Sequence, residues 1–517
     1  MAEGRRSGGR ASRMAARAAG LDEADRPVRP GQSGGSYQPL TEPDMQRIFF
    51  SALELLENTG MADAVPEFVE VVTEAGGYVD EDGRLRYPRG VVERAIDMAA
   101  KSWVWHGFDE DKSIEVADTK VHFGTAGAAV LVLDHETQRF RRSTTQDLYD
   151  LARIADTLEH VHFFARPVVT TELVDLRELD LNTAYAAMMG TSKPIGTSFF
   201  KRETVYEAVA MFDIALGGEG EFRKRPFVVS NSTFVVPPLR YAIDTAEGMV
   251  AQVETGMPIN LLSAGQAGAT SPAALAGSLV QALAECLAAL TSVNLLSPGH
   301  PCVMGMWPFI SDLRTGAMSG GSGEEAVLSA ASAQLINWIG LPSGVPAGMA
   351  DSKLADAQAG HEKGLTIGLA SQAGANLVYE SAGMLASLLA CSPEMMVIDN
   401  DLLGAANRTV REVEVNEDTL SMNVINDVVY GAGHFLGHEQ TLRLMERDYV
   451  YPEIGDRLSP DDWVEAGATS ADDRAHVYVE NTLASHYPDH VSRAADAAIR
   501  DLLPIRLPVE STVAKDG

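Results

Sequence analysis

The chain has 517 residues, 45% hydrophobic and 22% charged, a globular balance long enough for one large domain with extensions or for two to three ordinary ones. A formal net charge of −31 argues against nucleic-acid binding, which needs a basic footprint, and against adhesion to an acidic membrane. No run reaches the ~18 uninterrupted apolar residues of a membrane span. The three cysteines, Cys286, Cys302 and Cys391, form no CxxC pair, so buried thiols in a reducing cytoplasm are expected rather than disulfides or a Cys-rich metal site.

Residues 1–35 carry Arg5, Arg6, Arg10, Arg13 and Arg17 among Gly and Ser, and read as a flexible basic tail. They lack the apolar stretch of a secretory leader, although an Arg-rich, acid-poor start also resembles a transit peptide. Residues 36–145 read as an α+β lead-in. Apolar residues at helical spacing predict helices over 43–60, ending near Gly60, and over 66–77. A short strand and a helix follow over 83–102, and two β-rich runs over 120–144 predict a hairpin.

From about residue 145 the pattern becomes regular. Short apolar runs at 160–169, 194–200, 226–234, 258–266, 301–309, 342–348, 376–382 and 395–401 alternate with Ala/Leu-rich helical stretches such as 271–294 and 324–340. Alternating β and α at this repeat predicts parallel strands with helical crossovers. Eight such units predict a (β/α)8 barrel over 146–405, with an open doubly wound sheet as the alternative. Run 342–348 is poor in β-branched residues, and the last interval is short. Residues 406–517 read as a helical C-terminal extension.

The phosphate loop GxxxxGK[ST], the dinucleotide fingerprint GxGxxG and the zinc motif HExxH are all absent. GQSGG (31–35) matches GxSxG formally, with no strand before it. In a barrel of this kind, chemistry belongs at the strands' C-terminal ends. Those ends carry Arg166, Ser198, Asn231, Gln266, Trp307, Tyr379, Glu380, Asp399 and Asp401. Each alone reads equally as a satisfied loop residue, but together they predict one polar and aromatic site. After Gln266, the Gly-Ala-Thr-Ser-Pro stretch opens a helix whose N-terminus suits an anion, unless Thr270 or Ser271 merely caps it.

Segment 304–326 is the richest. Trp307 and Phe309 leave a strand, Asp312 and Arg314 follow, and small residues then lead to a glutamate pair opening a helix. Trp307 reads either as core or as a face for a quaternary ammonium, an attraction of up to ~2 kcal/mol when desolvated. Asp351 and Lys353 follow the sixth run and suit catalysis or an ion pair, whereas His361 and Glu362 read as a solvated helix face. His434 and His438 stand four apart, but no further ligand joins them, so no metal site is expected.

Five segments, HFGTAG (122–127), WPFISDLRTGAMSGGSGE (307–324), ADSKLADAQAG (350–360), NLVYESAGML (376–385) and GHFLGHEQT (433–441), together resemble the trimethylamine methyltransferase family. The resemblance spans about residues 40–500. It implies a (β/α)8 barrel that moves a methyl group from a methylated amine to the Co(I) corrinoid of a separate carrier protein. No cofactor would be tightly bound by this chain, the cobalamin arriving with the partner, and a homo-oligomer in one-carbon metabolism is implied. Founding archaeal members present trimethylamine with pyrrolysine, and this chain contains only standard residues. It therefore resembles the non-pyrrolysine branch acting on quaternary amines such as glycine betaine. The resemblance assigns Trp307 and Tyr379 to the ammonium and Arg166 or Lys353 to a substrate carboxylate. Asn231, Gln266, His122, His434 and His438 would line the site, and Asp351, Lys353 and Glu380 are catalytic candidates. A folate-dependent methyltransferase and a non-catalytic betaine-binding homologue remain the alternatives.

Overall fold

Eight short strands run parallel, side by side, through the computed structural model, which describes residues 26–514. In chain order they are β1 (Lys120–Phe123), β2 (Phe164–Ala165), β3 (Ile195–Thr197), β4 (Val228–Ser230), β5 (Ile259–Ser263), β6 (Cys302–Met306), β7 (Ser343–Pro346) and β8 (Leu377–Tyr379). Each of β2 to β7 pairs with its successor, and β8 pairs in parallel with β1. A parallel bridge between Gly124, just past β1, and Phe163, just before β2, curls the sheet so that β1 also meets β2. The strands are buried on both faces, which is why they read as continuous apolar runs rather than alternating ones.

The protein is thus a mixed α/β fold around a curled, mainly parallel sheet. Helices Thr145–Thr157, Leu176–Gly190, Arg202–Leu216, Ile243–Thr255, Leu275–Leu296, Gly323–Ile339 and Ala357–Gln372 carry the chain from each strand to the next. Pro393–Val410 follows β8. Leu275–Leu296 is long and apolar enough to cross a membrane, yet it is largely buried. Helices Glu42–Asn58, Pro66–Glu74 and Arg89–Met98 pack on it and share its apolar core. At the other end of the chain, Ala471–Ser485 packs on Pro393–Val410 and Thr145–Thr157, and Arg493–Leu502 on Arg202–Leu216.

Three expectations are corrected. The run at 395–401 is not a strand but part of helix Pro393–Val410, capped by Ser392 with proline in its first turn. Its helix is buried on most sides, so its sequence shows no amphipathic period, and the Ser-Pro start was the distinguishing signal. Second, the 120–144 segment is not a simple hairpin. Its first run is β1 of the central sheet, while Leu131–Leu133 and Phe140–Arg142 form the antiparallel pair. Third, residues 26–35 do not behave as tail: Gln32 and Ser33 pair antiparallel with Val121 and Lys120 on the edge of β1. The remainder of the expected tail, 1–25, lies outside the described residues.

Candidate functional site

At the C-terminal ends of the strands lies a cavity of about 270 Å³. Its walls are built by residues leaving successive strands: Ala126–Ala128 after β1, Arg166 after β2, Ser198–Phe200 after β3, Asn231–Thr233 after β4, Trp307 after β6 and Glu380 after β8. Parallel strands all end on the same side, so the segments that follow them, Ala264 after β5 included, converge on one space. Phe200 lines the cavity and is 39% exposed, so the cavity reaches the surface there.

One wall is cationic. The Arg166 Nε donates to Ser198 Oγ at 3.3 Å, and Ser198 Oγ donates in turn to the Asn231 carbonyl at 3.2 Å. Arg166 Nη1 is buried with no partner, and so are both amide atoms of Asn231. Burial pulls the guanidinium down to about 10, against the opposing charge of Asp180, so it stays cationic at neutral pH. Asp180 also accepts from the Phe200 backbone N–H at 2.9 Å and so fixes the rim loop. Glycine at 196 is required for this arrangement, because a Cβ there would sit 2.1 Å from the Asn231 amide nitrogen.

The opposite charge type comes from β8. Glu380 has no exposed surface, and neither carboxyl oxygen has a partner. It is held in a left-handed backbone conformation, φ +62°, unusual for a residue with a side chain. Burial pushes its carboxyl up to about 8, with Lys363 pulling it back. Lys363 is itself fully buried, 3.0 Å from the buried Asp399 carboxylate, and donates to the Gly348 carbonyl at 2.5 Å. Asp399 Oδ2 also accepts from the Gly383 N–H at 2.8 Å. Glu325, fully buried in helix Gly323–Ile339, is raised well above the carboxyl range, first by burial and then by the charge of Glu380.

Between these poles the walls are aromatic. Trp307, Phe309 and Phe199 line the cavity, and the Trp307 indole N–H is buried without a partner. Tyr379 is not among the lining residues. It stands behind Trp307 and also packs on Phe163 at 5.0 Å, with its hydroxyl unpartnered and burial raising its pKa. Buried polar atoms nearly always find partners. Here Arg166, Asn231, Trp307, Tyr379 and Glu380, five neighbouring residues, leave seven such atoms open.

The structure therefore brings together Arg166, Ser198, Asn231, Trp307 and Glu380, and separates the rest. His122 sits in β1 opposite Leu377, at the start of β8, with Nδ1 3.2 Å from the Asn376 carbonyl; it does not line the cavity. Burial lowers its pKa to about 4. Gln266 opens a two-residue strand that pairs in parallel with Phe309–Ile310, and its carbonyl accepts from the amides of 269–271 in the turn that follows; it does not line the cavity. The helix beyond starts at Leu275, so neither Thr270 nor Ser271 caps it. His434 is exposed, and His438 caps helix Glu439–Arg447 through its ring nitrogen. Lys353 is exposed and donates to the Asp351 carbonyl. Asp351 holds a neighbouring loop, accepting from Ser319 Oγ, the Gly320 N–H and Ser387 Oγ. Asp401 accepts from three consecutive amides, 453–455. Asp312 pairs with Arg314 at 2.7 Å on the surface.

Sequence reasoning missed Glu325 and Lys363. Ser322 and Glu325 have the S-x-x-E spacing of a capping box, which points Glu325 back to the helix start. Instead only its N–H uses Ser322, at 3.2 Å, and its carboxyl turns inward. Among the described residues, no group of three or more His, Cys, Asp or Glu side chains is placed to hold a metal.

The model of the trimethylamine methyltransferase family matches residues 6–506. The chain is 31% identical over 465 residues to the trimethylamine methyltransferase MttB of Methanosarcina thermophila, covering 88% of this chain and 94% of that one. It is 28% identical over 478 residues to the glycine betaine methyltransferase of Desulfitobacterium hafniense strain Y51, covering 92% and 98%. The crystal structure of the Methanosarcina barkeri monomethylamine methyltransferase MtmB aligns over 93% of this chain and 90% of that one, with 12% identity and a TM-score of 0.49.

Proposed function

This chain belongs to the trimethylamine methyltransferase family and is a methyltransferase; from that premise we propose that it demethylates a quaternary amine carrying a carboxylate, a betaine, in favour of the Co(I) corrinoid of a carrier protein. The observation that carries the proposal is the pairing of Arg166 and Glu380 in one aromatic-walled cavity. A zwitterion presents a matching cation and anion, and its methyl groups suit the faces of Trp307 and Phe309. In this reading the curled sheet is a (β/α)8 barrel, supported by eight parallel strands and the Gly124–Phe163 bridge.

The corrinoid, arriving with its own protein, supplies the nucleophile that takes the methyl group. A cavity that opens to the surface beside Phe200 fits a reagent delivered from outside. The residues of this chain do the positioning. Arg166 and Asn231 fix the carboxylate, Trp307 holds the ammonium, and the buried walls exclude water, so the methyl is presented in one orientation. The cationic charge is relieved as the methyl leaves, so a quaternary donor needs no acid to activate it. A cytoplasmic, homo-oligomeric enzyme that touches neither membrane nor nucleic acid completes the reading.

The test is methyl transfer to a reduced corrinoid protein from glycine betaine, longer betaines, choline and trimethylamine. Turnover of betaines is expected. Turnover of trimethylamine with none of any quaternary amine would overturn the proposal.

A further inference from the structure

Glu380 is placed oddly for an anion. Neither of its oxygens has a partner, a second buried acid, Glu325, is close enough for the two charges to act on each other, and Lys363, the cation that acts on Glu380, is already engaged by Asp399 at 3.0 Å and by the Gly348 carbonyl. Arg166 lines the same cavity from β2, bonded to Ser198, and Asp351 acts on Glu325 from the β7 side. An ionised carboxylate buried here has no hydrogen bond to either oxygen, a costly arrangement. A quaternary ammonium offers charge but no N–H, so it can neither hydrogen-bond the acid nor exchange a proton with it. The one way this wall can meet such a cation with a full negative charge is to lose its own proton.

We propose that Glu380 stays a neutral acid until a quaternary ammonium enters, and then releases its proton to solvent to become the counter-charge. The O–H bond breaks, its electron pair remains on the carboxylate, and the proton passes to water or buffer. The inference rests on the reading of the cavity as a quaternary-amine site. With the carboxyl held up to about 8 by burial, most of Glu380 is protonated at about pH 7, and binding releases close to one proton. At about pH 9.5 it is already ionised and little is released.

The experiment is calorimetric titration of the full chain with tetramethylammonium and glycine betaine in two buffers of different ionisation enthalpy. The expected result near pH 7 is a buffer-dependent heat corresponding to about one proton per site. That dependence shrinks near pH 9.5 and vanishes in Glu380→Gln, which keeps the shape of the side chain. A merely structural role for Glu380 would not move this readout. Binding with a buffer-independent heat, or the same release from the Gln variant, overturns the inference and leaves the functional reading standing. Binding of neither cation overturns both.

Discussion

The rings of Trp307 and Tyr379 meet with centroids 5.3 Å apart and planes inclined at 49°. Trp307 faces the cavity and Tyr379 backs it, so the indole is held by a second ring rather than by a hydrogen bond. Cation–π attraction comes from the ring face and reaches ~2 kcal/mol in a desolvated site. Trp307→Ala is therefore expected to weaken tetramethylammonium binding by about 10- to 30-fold, and Trp307→Phe by less. Equal losses in the two variants, read by calorimetry, would mean that volume rather than the ring face matters.

Arg166→Met separates the two halves of a zwitterion. Charged hydrogen bonds contribute about 1.5–3 kcal/mol, so glycine betaine is expected to bind about 10- to 100-fold more weakly. Tetramethylammonium, which has no carboxylate and is repelled by the guanidinium, should bind as well or better. Parallel losses for both ligands would remove Arg166 from carboxylate recognition.

Glu380 also governs stability against pH. Its carboxyl is raised to about 8 in the folded chain from an ordinary 4.5, so the folded state holds the proton that the unfolded state gives up across that window. Folding stability is thus lost as pH rises from about 4.5 to about 8, and the loss is constant above. Glu380→Gln lacks this slope. Relative to wild type it should gain stability toward alkaline pH, by on the order of 5 kcal/mol at the plateau, while losing cation affinity. Denaturant titrations at pH 5 and pH 9 check this; a gap between the proteins that does not widen with pH would contradict it.

Lys363→Met breaks a pair in which neither partner has any exposed side chain. Leaving Asp399 buried beside no cation costs about 3–5 kcal/mol by comparison with other broken buried pairs. The unfolding midpoint should fall sharply, and adding Asp399→Asn should restore part of it, because a neutral amide is cheaper to bury alone. Additive losses in the double variant would show the two residues to be independent.

Much of the candidate site could be read in the sequence because a parallel sheet converts strand order into place. Arg166, Asn231, Trp307 and Glu380 each end an apolar run, and runs that end on one side share a cavity. His122 enters through the family resemblance and not through a strand end, and it sits toward the amino ends of the strands, beside Leu377. Asp399 reads as a strand end but belongs to a helix, where it meets Lys363 from another helix. Such helix-to-helix meetings depend on packing angles, which no spacing along the chain records. Glu325 and Lys363, the charged surroundings of Glu380, were hidden for that reason.

The curled sheet is joined unevenly from strand to strand. Five residues of β5 are in register with five of β6, whereas the segments leaving β1 and leading into and out of β2 meet at two isolated bridges, Gly124–Phe163 and Ala129–Val168. A Cβ on Gly124 would lie 2.3 Å from the Phe163 ring, so the first of these bridges admits no side chain to reinforce it. The amides there make bonds of unequal length, 2.7 Å from His162 to the Phe123 carbonyl but 3.4 Å from Thr125 to that of Phe163. Regions with few hydrogen bonds open at lower free energy than the rest of a fold. Hydrogen exchange should therefore find the Thr125 and Ala128 amides among the least protected at the strand ends. Because Ala126–Ala128 form part of the cavity wall, breathing at this seam would widen the cavity from the side and give a ligand an exit that bypasses the mouth at Phe200.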